Sequence, residues 1–181
     1  MRNSLIFLIR TLGDLYLLTF LLRFLMQWVR ADFYNPVAQF VVRATNPLVV
    51  PARRVIPSAG STDMPTLVVL VTLEGVLTWS LLALVNLQVP IVTFLFFVLL
   101  RLINTALWFY VVSIFVYVLM SWFSHPGFSP IGRILADLNE PLLRPVRRFL
   151  PPIAGLDLAP MIVVILIAAI RIGLPLPAFL R

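Results

Sequence analysis

Residues 46–57 read NPLVVPARRVIP, and residues 140–151 read EPLLRPVRRFLP. Proline, paired arginine and the apolar spacers keep one register across the two strings, which lie 94 positions apart. The register extends outward. Leu25-Met26 meets Leu119-Met120, Trp28 meets Trp122, and Pro36 meets Pro130. Pro47 and Pro51 meet Pro141 and Pro145, Arg53-Arg54 meets Arg147-Arg148, and Asp63 meets Asp157. The chain is therefore a tandem repeat, with one unit over 1–88 and a second over 89–181.

The solvent for these units follows from composition. Of 181 residues, 61% are hydrophobic and 12% charged, where soluble domains hold roughly 45–50% and 25%. The excess apolar surface falls into long runs, and a helix needs about 20 apolar residues to cross a bilayer. Spans are predicted over about 5–29, 66–87, 97–123 and 158–174. Arg10, Asp14 and Arg23, with no small-residue cleavage site, make the first run a span rather than a leader. Residues 91–123 would reach about 50 Å as one helix, so Arg101 and Asn104 are expected near the far interface, with 91–100 tilted, extended or partly interfacial.

Between the spans of each unit lies a shorter amphipathic segment. Val37, Phe40, Val41, Ala44 and Leu48 follow the spacing of one helical face, and Ile131, Ile134, Leu135, Leu138 and Leu142 repeat it. Asn35 and Ser129 are candidate N-caps, followed by Pro36 and Pro130 in the first turn. Pro47 and Pro141 should end or kink these helices, giving interfacial helices over about 36–50 and 130–143. The fold class is an all-α membrane protein: four transmembrane helices in two tandem units of span, interfacial amphipathic helix and span. Trp28 and Trp122, at span ends, suit headgroup-depth anchors.

All fourteen basic residues are arginine, for a net charge of +7. Arg30, Arg43, Arg53, Arg54, Arg133, Arg144, Arg147 and Arg148 fall in the two connections, which topology places on one side. Arg2, Arg10, Arg101, Arg171 and Arg181 lie towards the other. The excess favours cytoplasmic connections. Guanidinium suits phosphate, which it binds bidentately, so Arg53, Arg54, Arg144, Arg147 and Arg148 are the candidate contacts for anionic lipid or a membrane partner. A nucleic-acid role is not expected, because these arginines alternate with prolines beside apolar helices.

Charges within spans are costly and mark pairs or pathways. Arg23 and Glu74 have matching depths below the connection side and are predicted to pair; Arg10 and Asp14 form a second candidate pair at i,i+4 spacing. The first pair reads as an interhelical clamp or, alternatively, part of an ion path. Asp63 and Asp157 precede helices, where capping and the helix dipole explain them. With no cysteine, one histidine (His125) and no phosphate-cradling loop, nucleophile elbow or zinc spacing, no enzyme, metal or cofactor is expected.

The stretch from Leu119 to Ile167 resembles the YggT family of small membrane proteins. The matching positions are Trp122, Pro130, Glu140-Pro141, Pro145, Arg147-Arg148, Pro151-Pro152, Gly155, Asp157 and Pro160. The first unit carries the pattern more loosely, with Asn46 for the glutamate and Ser58 for the second proline. The resemblance implies a multi-pass protein of the bacterial inner membrane without a defined catalytic residue. It implies roles in osmotic or potassium tolerance, cell division or membrane-complex assembly. The reading is thus a non-enzymatic scaffold, assembly or lipid-interaction factor in envelope homeostasis, with membrane lipids, a membrane protein or a second copy as partner. The alternative is a small channel or transport component.

Overall fold

The computed structural model describes residues 2–58, 62–123, 129–151 and 157–181. His125, Pro152 and Gly155 lie outside them. Among the described residues the fold is all-helical: α1 (Arg2–Trp28), α2 (Pro36–Val55), α3 (Met64–Leu84), α4 (Ile91–Phe123), α5 (Pro130–Phe149) and α6 (Ala159–Gly173), then a 3-10 turn at Ala178–Leu180. Helices α1, α3 and α4 are long and apolar enough to cross a membrane; α6 is equally apolar but has 15 residues, about 22 Å. Leu8, Leu12, Trp79, Val92 and Leu95 lie exposed along these helices, as lipid-facing surfaces require.

The units fold alike. In each, the first long helix packs on the last (α1 on α3, α4 on α6), and the amphipathic helix bridges them at one end. Phe20 and Val49 sit in the first unit's core, and their repeat-mates Ile114 and Leu143 sit in the second's. The units meet through α3–α4, α1–α4, α1–α5 and α2–α5. A separate cluster of Met26, Ala31, Ala38, Val41, Ile134 and Leu138 joins the two amphipathic helices to α1. The first long helix ends on a Schellman turn: Ala31 N–H donates to Met26, Arg30 N–H donates to Gln27, and Arg30 is left-handed at φ 55°.

The caps form as the sequence predicts. Asn35 Oδ1 accepts from Val37 N–H and Ser129 Oγ from Gly132 N–H, each at 2.9 Å. The prolines behave otherwise. Pro47, Pro51, Pro141 and Pro145 lie inside helices that continue to Val55 and Phe149, beyond the ends expected at 50 and 143. Each proline frees the carbonyl four residues earlier, those of Arg43, Pro47, Asp137 and Pro141, and all four residues are exposed. Water or headgroups can satisfy these oxygens, while Thr45 and Val49, or Asn139 and Leu143, keep the opposite face buried.

The buried face also differs from the predicted stripe. On α2 it comprises Ala38, Val41, Thr45 and Val49, whereas Phe40 is 68% exposed and Leu48 39%. Part of the apolar stripe therefore faces outward. The third long run is a single helix, α4, so residues 91–100 are helical rather than extended. Arg101 and Asn104 are buried within it, because α1 and α3 surround that level.

Candidate functional site

Each unit ties its amphipathic helix to its last helix with one ion pair at the same repeat position. Arg53 Nη2 donates to Asp63 Oδ2 at 2.8 Å, and Arg147 Nε donates to Asp157 Oδ2 at 2.8 Å. Arginine in the last turn of α2 or α5 complements that helix's dipole, and aspartate before α3 or α6 complements the next. Asp157 also caps, accepting from Ala159 N–H at 3.0 Å. Asp63 occupies the N-cap position without such a bond; its Oδ2 takes Thr66 Oγ1–H at 2.6 Å instead. Burial pushes the Asp63 carboxyl up, but the hydrogen bonds from Thr66 and Arg53 and the charges of Arg53 and Arg23 outweigh it and hold it below the usual range. For Arg147, burial works against the charge, and Asp157 and Tyr117 more than restore it.

Arg53 and Arg147 are therefore ligands of their own chain's aspartates. Their neighbours differ. Arg54, Arg144 and Arg148 are exposed and make no ion pair among the described residues. Beside them Val55 is 83% exposed and its repeat-mate Phe149 89%. Each amphipathic helix thus ends on an outward guanidinium followed by an outward apolar side chain. Trp28 and Trp122 are likewise exposed, at 71% and 74%, on the ends of α1 and α4.

The predicted Arg23–Glu74 pair does not form. Arg23 turns to α2, where its Nη1 donates to Thr45 Oγ1 at 2.6 Å and Asn46 Oδ1 at 3.0 Å; its nearest carboxylate is Asp63, at 3.9 Å. Glu74 instead accepts from Arg101 Nε at 2.5 Å, and Arg101 Nη2 donates to Asp14 at 2.8 Å. Matching depth along the membrane normal could not show which way each side chain points around its helix. Nor does Arg10 take Asp14 as its hydrogen-bond partner: it donates to the main-chain oxygen of Arg181 at 2.6 Å. The Asp14–Arg101–Glu74 layer joins α1, α4 and α3, with Arg101 and Glu74 both buried. Arg101 Nη1 and Glu74 Oε2 have no partner among the described residues. No cluster of potential metal ligands occurs among the described residues.

Three membrane-length apolar helices, a doubled helix–basic connection–helix unit and one charge layer shared between the units define a membrane protein of duplicated architecture. The CCB3/YggT family model matches the chain twice, over residues 2–85 and 96–178, once per unit. The chain belongs to that family. It is 42% identical over 171 residues to the YggT protein of Escherichia coli K12, covering 94% of this chain and 89% of that one. A Vibrio alginolyticus protein is 43% identical over 168 residues, covering 90% and 89%. A Pseudomonas aeruginosa PAO1 protein is 37% identical over 181 residues, covering 89% and 83%. Each of these relatives is named as an uncharacterized protein. No solved structure matches.

Proposed function

We propose that this chain is a non-enzymatic, multi-pass protein of the bacterial inner membrane whose paired amphipathic helices bind anionic phospholipid on the cytoplasmic leaflet. In this reading α6 serves as a short fourth span, and α2 and α5 lie at headgroup depth. The protein would act as a scaffold or assembly factor in envelope homeostasis. One observation carries the reading: at the same repeat position, Arg54-Val55 and Arg148-Phe149 both turn outward a guanidinium with no ion pair among the described residues and an apolar side chain. A buried stem with an exposed cation is how such helices seat in the interface, and each arginine near an anionic surface is worth about 1 kcal/mol.

The test is native mass spectrometry of the protein released from detergent with bound phosphatidylglycerol or cardiolipin. Joint substitution Arg54→Gln, Arg144→Gln and Arg148→Gln should lower retention several-fold. Unchanged retention overturns the reading. The unpartnered Arg101 and Glu74 atoms favour a second reading, an ion-conducting component, since polar atoms inside spans often line a path. Proton or potassium flux into liposomes that falls in Glu74→Gln would move the assignment there.

A further inference from the structure

The shortness of α6 points to a second lipid site, on the leaflet opposite α2 and α5. Arg171, in the last turn of α6, donates its Nε to Asn104 Oδ1 of α4 at 3.1 Å, so α6 stops level with Asn104. About 20 Å of α4 lies beyond that level. A hydrophobic stretch shorter than the bilayer core can be met by local thinning of the bilayer, which would bring far-leaflet headgroups towards Arg171.

A polar cleft opens where they would arrive. Its volume is about 320 Å³, and it is lined by Arg10, Asp14, Asn104, Trp108, Arg171 and Arg181 among others. Asn104 and Trp108 are the repeat-mates of Arg10 and Asp14, so both units line it at the same repeat positions. Charge is unbalanced there. Together with Arg101, four guanidinium groups face two carboxylates, Asp14 and Glu74, or three where a carboxylate follows Arg181. Both side-chain carboxylates already hold Arg101. Arg10, Arg171 and Arg181 make no ion pair with a side-chain carboxylate among the described residues; they hold an amide, main-chain oxygens and the Trp108 ring, whose centroid lies 4.8 Å from the Arg171 guanidinium.

An apolar groove of about 450 Å³ begins at that same Trp108 and runs between α4 and α6, past Val112, Phe115, Met161 and Ile165 towards Asp157. From Trp108 to Val118 it is about 15 Å long. Cationic cleft and apolar groove adjoin at Trp108, an amphipathic ring that lines both. We infer that one anionic phospholipid of the far leaflet seats its phosphate among Arg10, Arg171 and Arg181 and lays an acyl chain along the α4–α6 groove. Phosphate would complement guanidinium groups that hold no side-chain carboxylate, and the acyl chain would cover the apolar groove between α4 and α6.

Trp108 reports the site directly. The protein carrying Trp28→Phe, Trp79→Phe and Trp122→Phe would be reconstituted in phosphatidylcholine vesicles containing a small fraction of brominated-chain phosphatidylglycerol. Quenching of Trp108 should exceed that by an equal fraction of brominated phosphatidylcholine at least twofold. Arg171→Gln with Arg181→Gln should remove the excess, whereas Arg54→Gln with Arg148→Gln should leave it, so this site stands or falls apart from the cytoplasmic one. Equal quenching by both lipids overturns the proposal and needs no arginine variant to fold. Persistence of the excess in a folded Arg171→Gln, Arg181→Gln protein overturns it too. Loss of the excess on adding millimolar inorganic phosphate would show a free-anion site and overturn the lipid assignment.

Discussion

The two units place the same arginine on the same aspartate, yet they balance its charge in opposite ways. In the first, two guanidinium groups address one carboxylate: Arg53 and, more distantly, Arg23 converge on Asp63, whose side chain is fully buried. In the second, two carboxylates address one guanidinium: Arg147 takes Asp157 and also Glu140, at 2.8 Å each. The change traces to two repeat positions. Arg23 becomes Tyr117, removing a cation, and Asn46 becomes Glu140, adding an anion. Each unit keeps its clamp while the surplus charge reverses. The first unit's carboxylate is thereby fully buried, whereas the second's stays in partial contact with water.

The largest effect should come where the two units share one charge group. Asp14 and Glu74 belong to the first unit and Arg101 to the second, and the repeat-mate of Glu74 is alanine (Ala168 or, after the one-residue offset, Ala169). Removing one partner of a buried pair costs about 3–5 kcal/mol. Glu74→Ala should lower thermal stability in detergent by that order. A loss below about 1 kcal/mol would mean the layer does not hold the units together.

Next come the paired clamps. Asp63→Ala strands Arg23, which is 4% exposed, and should cost about 3 kcal/mol. Asp157→Ala leaves Arg147 with Glu140 in a site whose side chains are 27% and 30% exposed, so about 1 kcal/mol is expected. Equal losses would erase the distinction between the units. The acid side sharpens it. The carboxyl of Asp63 is held below its ordinary range, so its contribution is complete above about pH 4 and fades as pH falls through the depressed value. Below about pH 4, as pH falls through the depressed value, wild type should lose its advantage over Asp63→Asn. A constant difference across that window would contradict the assignment.

Much of this was legible in residue order. Proline, tryptophan and arginine register gave the duplication, and apolar run length gave the long helices. The caps at Asn35 and Ser129 followed from residue type alone. Two things were not legible. The helices run through Pro47 and Pro141 because the freed carbonyls lie on the exposed face, and local sequence does not carry exposure. Charge partners were misassigned because depth along a helix is readable from numbering, while direction around it depends on packing. Arg101 meets Glu74 only because α4 returns against α3. One signal was available: Arg53–Asp63 and Arg147–Asp157 keep identical spacing in both units, and a repeated opposite-charge pair is a candidate contact.

The smallest effects test where the amphipathic helices touch. Asn35 caps α2 and also reaches into the other unit, its Nδ2 donating to the Pro130 carbonyl at 2.7 Å. Ser129, its repeat-mate, makes only the cap among the described residues. Replacing a cap with alanine costs about 1 kcal/mol, and a further neutral hydrogen bond adds about 1 kcal/mol. Asn35→Ala should therefore destabilise by roughly twice as much as Ser129→Ala. Asn35→Asp separates the two contributions. It keeps the acceptor for Val37 N–H and adds a favourable charge at the helix N-terminus, but it has no donor for Pro130 and places a carboxylate against that carbonyl. If Asn35→Asp matches wild type in thermal unfolding, the bond between the units contributes no more than the added charge at the helix N-terminus, and the asymmetry is carried by the clamps. If its loss approaches that of Asn35→Ala, this amide is a junction between the duplicated halves, and the second unit's serine has no equivalent.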